Sequence, residues 1–124
     1  MAMIVRAFPL RGTVEEVQSF AALLSGERKS EAAAFYRKYG ITHDSWHLQD
    51  TPAGPWVIGV TIGDDPIAER GAELATSTTE FDSWFKSQVK RITGIDQDVQ
   101  PLGPPTTQLF AWVDDQRPAD GRPR

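Results

Sequence analysis

The sequence predicts one α+β domain whose strands and helices follow in the order β-α-β-β-α-β. Three observations predict it. Four short stretches rich in β-branched and aromatic residues, 3–8, 42–50, 56–63 and 108–113, have the length and patterning of strands. Between the first and second, and between the third and fourth, apolar residues recur at helical spacing behind capping signatures. A chain of 124 residues that is 40% hydrophobic and 24% charged has enough apolar side chain for one core and too little length for a second domain.

Each element has its own local reason. The first strand, 3–8, is closed by Pro9, and Pro9-Leu10-Arg11-Gly12 is turn chemistry. Thr13 with Glu16 forms a capping box that opens a helix carrying Val14, Val17, Ala21 and Leu24 on one stripe, which Phe20 widens. Ser25-Gly26 interrupts it. A second helical piece, 30–39, is rich in Ala and stops at Gly40, where a residue without Cβ can turn left-handed. The next two strands flank Thr51-Pro52-Ala53-Gly54-Pro55 and so predict a hairpin. Asp65 and Pro66 read as N-cap and first residue of a short helix, which Gly71 weakens. Ser77 with Glu80 reads as the capping box of a last helix whose stripe is Phe81, Trp84, Phe85, Val89 and Ile92, ending at Gly94. Its acids sit near the N-terminus and Lys86, Lys90 and Arg91 near the C-terminus, as the helix dipole favours. The stretch 108–113 is the fourth strand, so the domain spans 1–113, and the polar residues 114–124 read as a flexible tail. This order is the split βαβ of a ferredoxin-like fold, with a four-stranded antiparallel sheet and helices on one face.

Composition excludes whole classes of function. With no cysteine there is no disulfide, thiolate nucleophile or cysteine-held metal or cluster. A net charge of −4 and a pI near 5.1 give no basic surface for a nucleic-acid backbone. The longest apolar runs fall far below the roughly 18 residues that cross a bilayer, and no basic-then-apolar leader opens the sequence, so neither nucleic acid nor membrane is an expected partner and the cytoplasm is the expected location.

A sheet with helices on one side leaves its other face open, and what lies there points to a partner. Strand periodicity puts Trp56, Ile58, Val60 and Ile62 toward the helices and Val57, Gly59 and Thr61 away from them. By the same alternation Arg6, Ser45, His47, Gln49, Thr61, Phe110 and Trp112 share the open side and form the candidate ligand-binding set. A one-residue change of register would invert the assignment. A mixed aromatic and polar surface of this kind is best covered by a second copy across a two-fold axis, so a homodimer is expected, with room for a small molecule.

The stretches Tyr39-Gly40-Ile41-Thr42-His43-Asp44-Ser45-Trp46-His47-Leu48-Gln49, Gly63-Asp64-Asp65-Pro66 and Phe81-Asp82-Ser83-Trp84-Phe85-Lys86 resemble those of uncharacterised bacterial proteins of the dimeric α/β-barrel (ferredoxin-like) superfamily, over residues 3–113. The resemblance implies sheet-to-sheet pairing as in antibiotic-biosynthesis monooxygenase-like proteins, stress-responsive barrel proteins and haem-degrading enzymes. It implies no reaction, because a fold is not a function. In the cofactor-free monooxygenases and haem-degrading members of that superfamily an Asn acts with a Trp, and this chain contains no Asn.

The remaining residues support modest chemistry. His43 and His47 lie four apart in a strand, roughly 13 Å, too far for one metal ion, and Ser45 and His47 lie roughly 6.5 Å apart, too far for a nucleophile and its base. No metal and no cofactor are therefore expected. Asp64, Asp65 and Glu69 read as a turn, a cap and a first-turn charge. The leading expectation is a homodimeric barrel protein holding a small aromatic or acidic molecule between sheet and helices. One alternative is a cofactor-independent oxygenase-like enzyme with His47 as base, Arg6 as oxyanion partner and Trp112 as a stacking wall. The other is a regulatory protein-interaction module that docks through the hairpin edge.

Overall fold

Three strands and four helices make up the described part of the chain, which in this computed structural model comprises residues 2–65, 67–101 and 103–114. The elements are β1 (Ala2–Pro9), α1 (Val14–Ser25), α2 (Lys29–Lys38), β2 (Ile41–Thr51), β3 (Gly54–Gly63), α3 (Ile67–Thr76) and α4 (Glu80–Thr93), an α+β arrangement. The sheet is antiparallel with strand order β1-β3-β2. No helix among the described residues is long and apolar enough to cross a membrane.

Local signals explain most boundaries. Thr13 and Glu16 complete the reciprocal capping box at α1. Gly40 at φ 67° and Gly94 at φ 79° take the left-handed conformation that ends α2 and α4. The hairpin turns over Pro52-Ala53, where Thr51 Oγ1 accepts from the Ala53 amide and donates to the Gly54 carbonyl. The cap of α4 differs from the sequence expectation: Thr79, not Ser77, accepts the Asp82 amide. Ser77 instead donates to the Asp82 carboxylate at 2.6 Å. The position of Pro66 and residues 115–124 of the expected tail lie outside the described residues.

The core lies between one sheet face and the helices. Phe20, Phe35, Phe81 and Phe85 form its aromatic centre, with the Phe35 and Phe85 centroids 4.5 Å apart, and Ile92 and Val57 are sealed beside them. Burying each such side chain contributes about 1.5–3 kcal/mol. Asp82 is buried and held by Lys38, Tyr39 and Ser77, so its charge is compensated from the end of α2 and the loop before α4. Lys86 caps the end of α3 by donating to the carbonyls of Leu74, Ala75 and Ser77.

Two expectations are corrected. The covered face of β3 carries Val57, Gly59 and Thr61, with Val57 1% and Thr61 3% exposed, while Trp56, Ile58, Val60 and Ile62 face away. Contacts on the covered side accompany the inversion. Val57 joins the core, and Thr61 is bonded to Arg6 and Asp44 from the flanking strands. At Gly63 a Cβ would meet the Gly40 carbonyl at 2.8 Å, so the close approach of the two backbones there requires glycine. The more apolar set therefore faces outward. Arg6 and Thr61 move with this register to the covered side, whereas Ser45, His47 and Gln49 stay on the open side.

The second correction concerns the fourth strand. Residues 108–113 form no strand here, and Phe110 and Trp112 are 82% and 74% exposed instead of packing on the sheet. The segment is hydrogen-bonded to β1 at Thr106, whose amide and hydroxyl both donate to the Val5 carbonyl.

Candidate functional site

Alternation in β2 brings Asp44, Trp46 and Leu48 to the covered face, opposite Thr61, Gly59 and Val57 of β3. Pairing of β1 with β3 sets Ile4, Arg6 and Phe8 in the same rows. One row and a neighbour thus bring an arginine, a threonine and an aspartate together beneath the helices, and α2 adds Tyr36 from above.

The four side chains form a continuous hydrogen-bonded chain. Arg6 Nη2 donates to Thr61 Oγ1 at 2.6 Å, Thr61 Oγ1 donates to Asp44 Oδ1 at 2.8 Å, and Tyr36 OH donates to Asp44 Oδ2 at 2.8 Å. Every strand of the sheet contributes one member. Burial pushes the Asp44 carboxyl above its usual range, and the bonds from Tyr36 and Thr61 and the charge of Arg6 oppose that rise only in part. The Tyr36 hydroxyl is raised by burial and by the neighbouring Asp44 charge, so it stays protonated and donating. Arg6 is lowered by burial, which Asp44 partly offsets.

Two cavities meet at this chain. The inner one, about 60 Å³, lies among Arg6, Tyr36, Asp44, Thr61 and Gln97. At about 10–15 Å³ per molecule it holds a few waters and no organic ligand. Gln97 is 6% exposed, its Nε2 donates to the Pro101 carbonyl, and its Oε1 has no hydrogen-bond partner among the described residues. That acceptor suits a water in the cavity. The outer cavity is a groove of about 460 Å³ between α1 and the sheet, walled by Phe20, Ala21, Leu24, Trp46, Leu48 and Val57. Such a volume falls in the range of small-molecule sites. Asp44, Tyr36 and Trp46 border both cavities, so the groove has aromatic and aliphatic walls and one polar end.

The expected site residues are divided among four places. Arg6 and Thr61 belong to the chain under the helices; His47 stands at the rim of the groove; Phe110 and Trp112 lie exposed on the C-terminal segment. Ser45 and Gln49 occupy the open face. Arg6, His47 and Trp112 are therefore not assembled around a common point. The open face holds one geometry that spacing alone excluded: Ser45 Oγ is 2.9 Å from His43 Nε2 and 3.0 Å from His47 Nε2. Backbone separation overstated the distance because imidazole rings lean along the strand toward the shorter serine. No cluster of three or more metal-ligating His, Asp or Glu occurs among the described residues.

Asp44 and Tyr36 were missed as site residues. A signal existed: Asp44 shares strand parity with Trp46 and Leu48, an acid on the apolar side of an alternating strand. Fold and site together define an α+β domain with an apolar groove ending on a buried polar relay. Comparisons with protein-family models, with curated proteins and with solved structures find no match.

Proposed function

We propose that the chain is a binding domain for a small aromatic molecule that enters the groove between α1 and the sheet and places a hydrogen-bond donor against Asp44. The observation that carries this reading is the groove itself, about 460 Å³ with Phe20, Trp46 and Leu24 in its walls and Asp44 at its polar end. Ring-against-ring contact stabilises a flat ligand there. A carboxylate has more lone pairs than the two that Thr61 and Tyr36 engage, so it can accept a further bond from a hydroxyl or ammonium group. An acidic ligand is disfavoured beside it by like charge. The antiparallel order β1-β3-β2 is the one these three strands take in the ferredoxin-like sheet expected from the sequence.

The test is a thermal-shift and fluorescence titration with tyramine, p-cresol and benzoate. The expected result is stabilisation in the order tyramine, p-cresol, benzoate, lost in Leu24→Trp, which fills the groove. No stabilisation by any of the three at millimolar concentration, or binding unchanged in the filled variant, contradicts the proposal.

A further inference from the structure

Three side chains of β2 converge on one point. His43, Ser45 and His47 alternate onto the open face, in register with Ile62, Val60 and Ile58 of β3, and both histidines are exposed. Ser45 Oγ lies 2.9 Å from His43 Nε2 and 3.0 Å from His47 Nε2, so the two nitrogens are no more than about 6 Å apart, against roughly 13 Å between the two residues along the strand. We propose that His43, Ser45 and His47 form a binding site for a divalent cation of the copper and nickel class.

The separations fit that class. Two ligands at right angles around an ion, each at about 2.0–2.1 Å, stand about 2.8–3.0 Å apart, whereas tetrahedral ligands at the same bond length stand about 3.3–3.4 Å apart. Ser45 Oγ is spaced from both imidazoles as a ligand at right angles to each. That is the tetragonal arrangement of nitrogen and oxygen donors that copper(II) and nickel(II) take, and it is not the tetrahedral one that zinc prefers.

The strand holds the donors ready. β2 pairs with β3 through all three positions, and a site on a paired strand is more precise than one on a loop. A hydroxyl has one proton and donates to one imidazole only, so without an ion the second imidazole turns its own Nε2–H toward Ser45. An ion takes the lone pairs of both Nε2 atoms instead, and each ring then carries its proton on Nδ1. No group of three or more histidine or carboxylate ligands forms among the described residues, so water completes the coordination and the ion exchanges with solution. A net charge of −4 favours a cation on this chain. His47 also borders the groove, which puts the ion at its rim, and the ion binds whether or not the groove is filled.

The experiment uses the full chain and the metal ions alone. These two are the only histidines and there is no cysteine, so imidazole coordination can arise nowhere else in the chain. Calorimetric titration with copper(II) chloride is expected to give one ion per chain with a Kd of about 10 μM or tighter. Copper leads at most sites, so the order of the other two ions marks the geometry: nickel(II) is expected to bind more tightly than zinc(II). Electron paramagnetic resonance of the copper form is expected to show a tetragonal ion with two imidazole nitrogens. His43→Ala and His47→Ala are each expected to weaken copper binding about 10-fold or more and to leave one nitrogen in the spectrum. Ser45→Ala is expected to weaken it less and keep both nitrogens, and far-ultraviolet dichroism of the ion-free variants is expected to match the wild type. No saturable copper binding, a single imidazole nitrogen in the wild-type spectrum, zinc held more tightly than nickel, or binding undiminished when both histidines are replaced by alanine overturns the proposal. Copper that joins two chains through one histidine each, seen as a doubling of mass in light scattering when copper is added, overturns it equally.

Discussion

The two faces of the sheet reverse the usual division of polarity. Beneath the helices lie Arg6, Thr61 and Asp44, a charged pair bridged by a hydroxyl, while the face without helices carries Val5, Ile58, Val60 and Ile62. Burying charge opposes folding unless every group is hydrogen-bonded, and leaving β-branched residues open favours association. The difference teaches that hydrophobicity alone does not decide which face the helices cover: one face encloses a relay beside a groove, and the other leaves its β-branched side chains half-buried.

The largest effect that sharpens this comparison is at Trp46. Trp46→Ala removes a ring packed 5.3 Å from Phe20 and is expected to cost about 3 kcal/mol, whereas Ile58→Ala on the other face is expected to cost about 1 kcal/mol, both read by chemical denaturation at sub-micromolar protein. Equal losses would break the distinction. Next in size is Thr61→Val, which takes the bridging hydroxyl from between Arg6 and Asp44 and is expected to cost about 1–3 kcal/mol; Val60→Thr, one residue along, is expected to stay within about 1 kcal/mol.

The smallest effects are in the pH dependence of the two acids under the helices, and they have opposite signs. Burial tends to raise the Asp82 carboxyl, but the hydrogen bonds from Lys38, Ser77 and Tyr39 prevail and hold it below its usual range. Its contribution to stability is present above the ordinary carboxylate pKa and disappears as pH falls through the lower folded value. Asp44 is raised by burial, so its contribution is complete below the ordinary value and fades as pH rises through the folded one. Thermal melts from pH 3 to 8 are expected to show Asp82→Asn flattening the acid side of the profile and Asp44→Asn flattening the side toward neutrality.

Much of the fold was legible because its signals are local. The Thr13 capping box, the left-handed Gly40 and Gly94 and the stripe of Phe81, Phe85, Val89 and Ile92 depend on near neighbours in the chain. Which side of β3 faces the helices is not local. It depends on partners from the flanking strands, Arg6 and Asp44 bonding Thr61 and the Gly40 backbone closing on Gly63, so hydrophobicity alone chose the wrong side. Arg6 was legible as a candidate site residue, but not that Thr61 would bridge it to Asp44 under the helices. The alternation of 108–113 predicts a strand, but a strand forms only where its backbone is paired, which is not a local property, and these residues form none here.

Four tryptophans report on the separate regions: Trp46 at the groove, Trp84 among the helices, Trp56 on the open face and Trp112 on the exposed C-terminal segment. Fluorine resonances of 5-fluorotryptophan-labelled protein therefore test the groove directly. Tyramine is expected to move the Trp46 resonance and leave Trp56 and Trp112 in place. A Trp46 resonance indifferent to tyramine, or equal shifts at Trp56 and Trp112, would contradict the account.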